Sequence, residues 1–123
     1  MTAPLVPVLV FVGGAVGAPV RYLLDRLVQR WHDGAFPWGT LTVNLLGSFV
    51  LGLLSATDPA GVARALLGTG FCGALTTFST FGYETVRLLE EGSARAAAVN
   101  ALGGLALGVI MALAGHALVA GLS

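Results

Sequence analysis

A segment in the middle of the chain, residues 70–84, combines polar side chains with glycines inside a hydrophobic stretch. It holds four serine or threonine residues and three glycines, in the order Gly-Phe-Cys-Gly-Ala-Leu-Thr-Thr-Phe-Ser-Thr-Phe-Gly-Tyr-Glu. A lipid interior offers no water to pair with hydroxyls or with freed backbone groups, so such a segment must lie against protein or a hydrated cavity. The chemistry it offers is hydrogen bonding and carbonyl coordination of a small solute or ion.

The first half of this segment predicts a break in a helix. Gly73, Thr76 and Thr77 are weak helix formers, because glycine costs backbone entropy and β-branched residues lose side-chain freedom. An interrupted membrane helix is the best indication that a sequence gives of an ion or substrate site, since its unwound carbonyls become available as ligands. We therefore expect ligands near residues 73–77.

The second half predicts a surface for an anion. Phe78 and Phe81 are three residues apart and project to the same side of a helix. An aromatic ring has a negative face and a positive edge, so two rings turned edge-on can favour a small anion without trapping it on a fixed charge. Ordinary core packing is the competing interpretation, but this pair lies among hydroxyls, Ser79 and Thr80 included, rather than among leucines.

A second polar stripe precedes this segment. Thr40, Asn44 and Ser48 recur every four residues and so share one helical face. Such a stripe either holds helices together through hydrogen bonds or lines a path for a polar solute. The neighbouring hydroxyl-rich segment favours the path.

Residues with possible ionic or redox chemistry are few. Arg21 either extends to the lipid headgroups or places a fixed positive charge at a vestibule that attracts anions. Glu84 is either a water-facing charge at a helix end or a vestibule group. His32 and His116 are too far apart along the chain to suggest a metal cluster, and the single Cys72 is interpreted as a packing residue.

These residues are predicted to lie on four membrane-spanning helices. Of the 123 residues, 56% are hydrophobic and only 10% are charged, with a mean hydropathy of +0.89 and no lysine. About 20 apolar residues cross a bilayer core, and short polar joints separate four candidate spans, at about residues 4–24, 36–56, 65–86 and 96–122. We expect a single all-α transmembrane domain over residues 1–123, whose first span is retained rather than cleaved as a signal peptide. The formal net charge of zero gives no indication of a nucleic-acid partner.

Small-residue faces predict association between chains. The pairs Gly13/Gly17 and Gly104/Gly108 have the Gly-x-x-x-Gly spacing that lets helix backbones approach closely. Four helices are few to surround a conduction path, and the sequence shows no internal repeat. We therefore expect a dimer.

Three motifs carry a resemblance to a known family. They are Gly-Ala-x-x-Arg at residues 17–21, Gly-Thr-x-x-x-Asn-x-x-Gly-x-Phe at residues 39–49, and Gly-Phe-Cys-Gly-Ala-Leu-Thr-Thr-Phe-Ser-Thr-Phe at residues 70–81, followed by Glu84. In these motifs the chain resembles the small fluoride-exporting channels called Fluc or CrcB.

The resemblance implies a channel, not an enzyme, that exports fluoride passively across a bacterial plasma membrane. It implies an antiparallel dimer with two pores at its interface and a structural sodium ion at its centre. Backbone carbonyls of Gly73 and Thr76 match the sodium ligands, and Arg21 matches the vestibule arginine. The residues that match the fluoride pathway are Asn44, Phe78, Phe81, Ser79 and Thr80, with Thr40 on the same stripe as Asn44.

Two features depart from the family pattern. Members often carry hydroxyls along the pore face of the fourth helix, whereas Asn100 is followed here by glycine, alanine and aliphatic residues. The joints after spans one and three hold four arginines and the opposite side holds one, which favours one orientation with both termini outside. We therefore expect a separately encoded, oppositely oriented homologue as partner, and a homodimer is the alternative.

The alternatives to a channel are a small multidrug exporter, a non-conducting subunit and an enzyme. A small multidrug exporter is also a four-helix dimer, but it needs a carboxylate within the membrane, and all six acidic residues here lie at joints or span ends. A non-conducting subunit of a larger complex would use the glycines and hydroxyls only as helix contacts. An enzyme is disfavoured because no nucleophile, base and orienting group occur together.

Overall fold

The computed structural model describes residues 5–32, 34, 36–57 and 62–121. The first and last residues of the predicted spans, Pro4 and Leu122, lie outside the described residues, as does most of the joint after the second span. Across the described part of the chain all regular structure is helical, which confirms the all-α prediction.

Five helices follow one another along the described ranges. Helix α1 is Leu5–Arg30 and α2 is Trp38–Thr57. Helix α3, residues 64–75, is π-helical over Arg64–Cys72 and ends with the α-helical turn Gly73–Leu75. Helix α4 is Phe78–Glu90, and α5 is Ala94–Ala120 with a π-helical stretch at Val99–Gly103.

Three of the described helices, α1, α2 and α5, are long and apolar enough to cross a membrane. The predicted third span instead comprises α3 and α4, each shorter than the roughly 20 residues that a crossing needs. Between them Thr76 and Thr77 have extended backbones, with ψ of 158° and 117°. Together α3 and α4 cover the length that the sequence assigned to one span.

Glycines determine how the helices pack. The most extensive contacts join α2 to α5 and α1 to α3. A Cβ on Gly52 would collide with the Ala112 carbonyl oxygen of α5, and one on Gly17 would collide with the Phe71 carbonyl oxygen of α3. The Gly13/Gly17 face therefore packs within one chain and gives no support to the predicted dimer.

Apolar side chains remain exposed along the outer faces of the bundle. On α1, for example, Phe11 is 76% exposed, whereas the buried core is built from small and medium residues that include Val43, Cys72 and Leu88. Burial of Cys72 agrees with its interpretation as a packing residue. An exterior of this kind suits a lipid solvent rather than water.

Because the backbones of α2 and α5 are in contact, one methyl group added between them should lower the free energy of unfolding. Gly115→Ala would place its Cβ against the Phe49 carbonyl oxygen, so we expect the free energy of unfolding to fall by about 1–3 kcal/mol. Gly82→Ala is the control, because nothing lies within 4 Å of its added Cβ. Thermal unfolding in detergent measures both, and equal midpoints for the two variants would contradict the packing.

Candidate functional site

The side-chain amide of Asn44 binds both backbone groups of Thr77. Thr77 N–H donates to Asn44 Oδ1 at 2.8 Å, and Asn44 Nδ2 donates to the Thr77 carbonyl oxygen at 3.2 Å. Only an oxygen can accept from a backbone N–H, so this pairing fixes which way the amide of Asn44 faces. The contact joins the middle of α2 to the point where α3 ends.

Thr77 is also the N-cap of α4. Its Oγ1 accepts from Thr80 N–H at 3.2 Å and donates to Thr80 Oγ1 at 3.0 Å. The extended backbone of Thr77, with φ of −149°, is the conformation that an N-cap residue adopts. Threonine is one of the residue types preferred at an N-cap, which is the sequence signal for this role, and sequence reasoning missed it because threonine is also a weak helix former.

Because of these bonds, two backbone carbonyl groups do not receive the N–H groups that would bind them in a continuous α-helix. In an α-helix the carbonyls of Gly73 and Thr76 would accept from the N–H groups of Thr77 and Thr80, but those groups bind Asn44 and the Thr77 side chain instead. Gly73 is exposed, and an added Cβ there would meet nothing within 4 Å. Two carbonyl oxygens thus lose their α-helical N–H partners, and one of them belongs to the exposed residue Gly73.

A groove of about 420 Å³ runs beside this junction, between α2, α4 and α5. Its polar side chains are Asn44 and Ser48 of α2 and the threonines of the α3–α4 junction. None of the described residues that line it is charged. The remaining lining residues are Leu41, Leu51, Phe78, Phe81, Gly104, Leu105, Gly108, Val109 and Ala112.

The two phenylalanine rings border the groove. Their centroids are 6.1 Å apart and their planes are inclined by 42°, so the rings are tilted rather than stacked. Phe78 is 80% exposed. The ring of Phe81 lies over Gly104, because a Cβ there would be 2.8 Å from Phe81 Cε1. Sequence reasoning identified Gly104 only as part of a Gly-x-x-x-Gly pair and missed this role.

The other predicted site residues lie elsewhere. Ser79 and Thr80 are on α4 but are not among the residues that line the groove. Thr40 is buried, and its hydroxyl lies close to the Glu84 carboxyl group. Glu84 lines a separate cavity of about 360 Å³ together with Asp25, Gln29, Arg87 and Glu91. Arg21 is half-buried on α1 and lines neither cavity.

Asn100, near the start of the hydroxyl-poor helix, faces inward. It is 2% exposed and donates from Nδ2 to Thr85 Oγ1 at 2.8 Å. Thr85 in turn donates to the Phe81 carbonyl oxygen at 2.9 Å. This side-chain amide therefore joins α5 to α4 and does not line the groove.

A family model described as CrcB-like protein, Camphor Resistance (CrcB), matches residues 8–116. The chain belongs to the CrcB-like family. The matched range begins in α1 and ends within α5, so it includes every element that forms the groove.

Curated relatives carry a function in their names. A protein of Streptomyces avermitilis, named fluoride-specific ion channel FluC 1, is 55% identical over 87% of this chain and 90% of its own length. A FluC 1 protein of Frankia casuarinae is 49% identical over 86% of this chain and 95% of its own length. A FluC 2 protein of Haloarcula marismortui is 51% identical over 83% of each.

The match to the family model confirms the resemblance that the sequence motifs indicated. This CrcB-like chain is a multi-pass membrane protein and not an enzyme, as the ion-channel names of its relatives and its apolar helices show. The α3–α4 junction and the groove lie within the part of the chain that the family model matches.

The hydrogen bonds between Asn44 and Thr77 predict that removal of the Asn44 side-chain amide lowers the stability of the fold strongly. Asn44→Ala would leave the N–H and carbonyl of the buried Thr77 without partners, so we expect the free energy of unfolding to fall by about 2–4 kcal/mol. Thr42→Val is the control on the same helix, because its hydroxyl bonds only locally to the Trp38 carbonyl. A midpoint of thermal unfolding as high for Asn44→Ala as for the control would refute the role of this contact.

Proposed function

We propose that the chain forms a passive, fluoride-selective channel that exports cytoplasmic fluoride across the plasma membrane. The observation that carries this proposal is the groove that Asn44 and Ser48 line together with Phe78 and Phe81, and in which no described lining residue is charged. Fluoride is chosen as the ion because each of the relatives compared above is named a fluoride-specific ion channel.

Hydrogen-bond donors are what fluoride needs in such a groove. The ion is small and strongly hydrated, so it passes only where protein donors replace its water. Asn44 Nδ2 carries two hydrogens and uses one on Thr77, which leaves the second for the groove. The first turn of α4 adds N–H groups without helical partners and the positive end of a helix dipole.

Passage without trapping follows from the lack of charge. None of the described lining residues carries a charge that would hold the anion tightly, and the positive ring edges of the phenylalanines offer a weaker attraction. Export needs no ATP, and the sequence has no phosphate-binding loop. Fluoride that enters as its weak acid ionises in a more neutral cytoplasm, and the ion then leaves down its gradient.

A second chain in the opposite orientation completes the pore in this proposal. A single chain leaves Phe78 80% exposed and Gly73 exposed, and a partner would cover both. The partner is either another copy of this chain or a homologue. The arginine bias of the joints favours the homologue, because it predicts one fixed orientation for this chain.

A structural sodium ion would lie where the two chains meet. The Gly73 and Thr76 carbonyls suit it, because the bonds of Thr77 and Thr80 direct their usual donors elsewhere. Two carbonyls from each of two chains would provide four hard oxygen ligands. The ion would supply only charge and coordination, and it would fix the two chains together.

The remaining predicted residues have supporting roles in this proposal. Arg21 would attract anions at a vestibule, and Glu84, whose carboxyl group lies close to the Thr40 hydroxyl, would border the polar cavity that Asp25 and Arg87 also line. Ser79 and Thr80 would offer hydroxyls to the ion from the side that the partner completes.

Fluoride efflux from liposomes tests the function. We expect the purified chain to release fluoride and not chloride, and Phe78→Ala and Phe81→Ala to slow release at least about tenfold, which corresponds to about 1.4 kcal/mol. Phe11→Ala is the matched control, since Phe11 is similarly exposed but lies on α1 away from the groove. Equal loss in all three variants would contradict the proposed role of the ring pair.

If the wild-type chain is correctly inserted but shows no fluoride flux, a second experiment adds an oppositely oriented homologue. Flux restored by an oppositely oriented homologue would establish an obligate heterodimer. Flux absent even with that partner would refute the channel.

Removal of sodium tests the proposed ion without reference to flux. A site that binds only the folded dimer stabilises it by about 2.7 kcal/mol when sodium is at about 100 times its dissociation constant. We therefore expect a higher melting temperature and a larger dimer fraction in sodium chloride than in N-methylglucamine chloride. Identical values in the two salts would exclude a structural sodium site.

A further inference from the structure

Helices α4 and α5 form a hairpin in which two pairs of residues lie opposite one another. The connection between the helices, residues 91–93, is short, as is usual between antiparallel neighbours. Thr85 of α4 meets Asn100 of α5, and one turn farther from the connection Phe81 meets Gly104. One face of α5 therefore contacts α4 at Thr85 and again at Phe81.

A chain of hydrogen bonds runs from Asn100 to the backbone of Phe81. The Thr85 hydroxyl donates its proton to the Phe81 carbonyl oxygen at 2.9 Å, so its oxygen is left to accept. Asn100 Nδ2 donates to that oxygen at 2.8 Å, which fixes the direction in which the Asn100 amide faces. Asn100 is 2% exposed, so water has little access to this contact. The Phe81 backbone is thus tied to α5 through two side chains.

The ring of Phe81 rests on the backbone of α5 at Gly104. A Cβ at residue 104 would lie 2.8 Å from Cε1 and 3.4 Å from Cζ of this ring. Favourable contacts between carbon atoms have separations of about 3.5–4.0 Å, so only a glycine leaves room for the ring in this position. A Cβ added at the neighbouring Gly103 would meet nothing within 4 Å, so the requirement is specific to Gly104.

The position of Phe81 affects the shape of the groove. Phe81 and Gly104 both line the groove, as does Phe78, whose ring centroid is 6.1 Å from that of Phe81. Phe78 is exposed in the single chain, whereas Phe81 is half-buried. Movement of the Phe81 ring away from Gly104 would change the separation or tilt of the two rings and would take up space in the groove.

We propose that Asn100, Thr85 and Gly104 are positioning residues for Phe81. The chain from Asn100 through Thr85 holds the Phe81 backbone, and Gly104 lets the ring lie against α5 instead of projecting into the groove. The consequence for fluoride passage rests on the proposed function, whereas the position of the ring rests on the contacts alone. The described residues of α5 that line the groove carry no hydroxyl, so α5 contributes by placing Phe81 rather than by binding the ion.

One added methyl group tests the contact between Phe81 and Gly104. In Gly104→Ala the new Cβ meets the end of a side chain that can turn away, so we expect the chain to fold with the Phe81 ring displaced. Gly103→Ala is the matched control, because it adds the same group one residue earlier without a contact. Nuclear magnetic resonance of the chain in detergent, labelled with ¹³C in its phenylalanine rings, measures the displacement. The exposed Phe11 of α1 is the internal reference.

The ring signals and the flux have separate expected results. In Gly104→Ala the Phe81 signals should shift while those of Phe11 do not. Fluoride efflux from liposomes, with the partner present if one is needed, should slow at least about threefold. Gly103→Ala should match the wild-type chain in both measurements. Phe81 signals that are the same in the two variants would overturn the role of Gly104, and a displaced ring with unchanged efflux would overturn its importance for passage.

Variants of Thr85 test the hydrogen-bond chain. Thr85→Val removes the hydroxyl at nearly constant shape, whereas Thr85→Ser keeps it. We expect Thr85→Val to shift the Phe81 signals and to slow efflux at least about threefold, and Thr85→Ser to resemble the wild-type chain. A lower melting temperature in Thr85→Val without a selective shift at Phe81 would indicate a merely structural contact and would overturn the role of the chain.

A measurement on the wild-type chain keeps the hydrogen-bond chain testable if Thr85→Val does not fold. The side-chain N–H protons of Asn100 should show a nuclear Overhauser contact with the Thr85 side chain. Its absence would overturn the chain.

Two outcomes separate the positioning of Phe81 from the channel itself. A wild-type chain that shows no flux with any partner would refute the channel, and selective Phe81 shifts in Gly104→Ala and Thr85→Val would then still support the placement of Phe81 by α5. Normal efflux in all variants without a selective shift at Phe81 would overturn the positioning and leave the channel standing.

Discussion

The hydrogen bonds between the Asn44 amide and the backbone of Thr77 constrain the rest of the structure. They take the Thr77 N–H away from the Gly73 carbonyl and so end α3 inside the protein. A buried helix end is costly unless its polar groups find partners. Asn44 meets that need from α2, and the Thr77 side chain meets it for the start of α4.

Several functional features follow from this one junction. The turn of the chain at Thr76 and Thr77 aims the first residues of α4 at the groove, where Phe78 and Phe81 lie against α2 and α5. It also leaves the Gly73 carbonyl close to an exposed surface. The same short segment thus contains both the carbonyl oxygens that lose their helical N–H partners and the phenylalanines that line the groove. In the proposed channel these serve a cation and an anion, respectively.

Hydropathy is enough to predict the helices, because apolar length alone decides what can cross a membrane. It also places α1, α2 and α5 within a few residues of most of their ends. Sequence spacing could not show that Gly13 and Gly17 would pack against α3 of their own chain, since a Gly-x-x-x-Gly face does not specify its partner. The polar stripe of α2 is evident in the sequence, but its three residues do not share one environment. Asn44 and Ser48 line the groove, whereas the Thr40 hydroxyl lies close to Glu84. Sequence spacing could not predict this difference, because it depends on which other helices pack against each residue.

The helix break is tested most directly by the backbone conformation of Thr76 and Thr77 in a lipid bilayer. Solid-state nuclear magnetic resonance reports it through the ¹³C chemical shifts of the Cα and Cβ atoms. We expect extended-type shifts at both threonines between helical shifts at Leu75 and Phe78, and a change at both in Asn44→Ala. Helical shifts at Thr76 and Thr77 in the wild-type chain would show that one continuous helix crosses the membrane here, and would contradict the break on which the proposed ion sites depend.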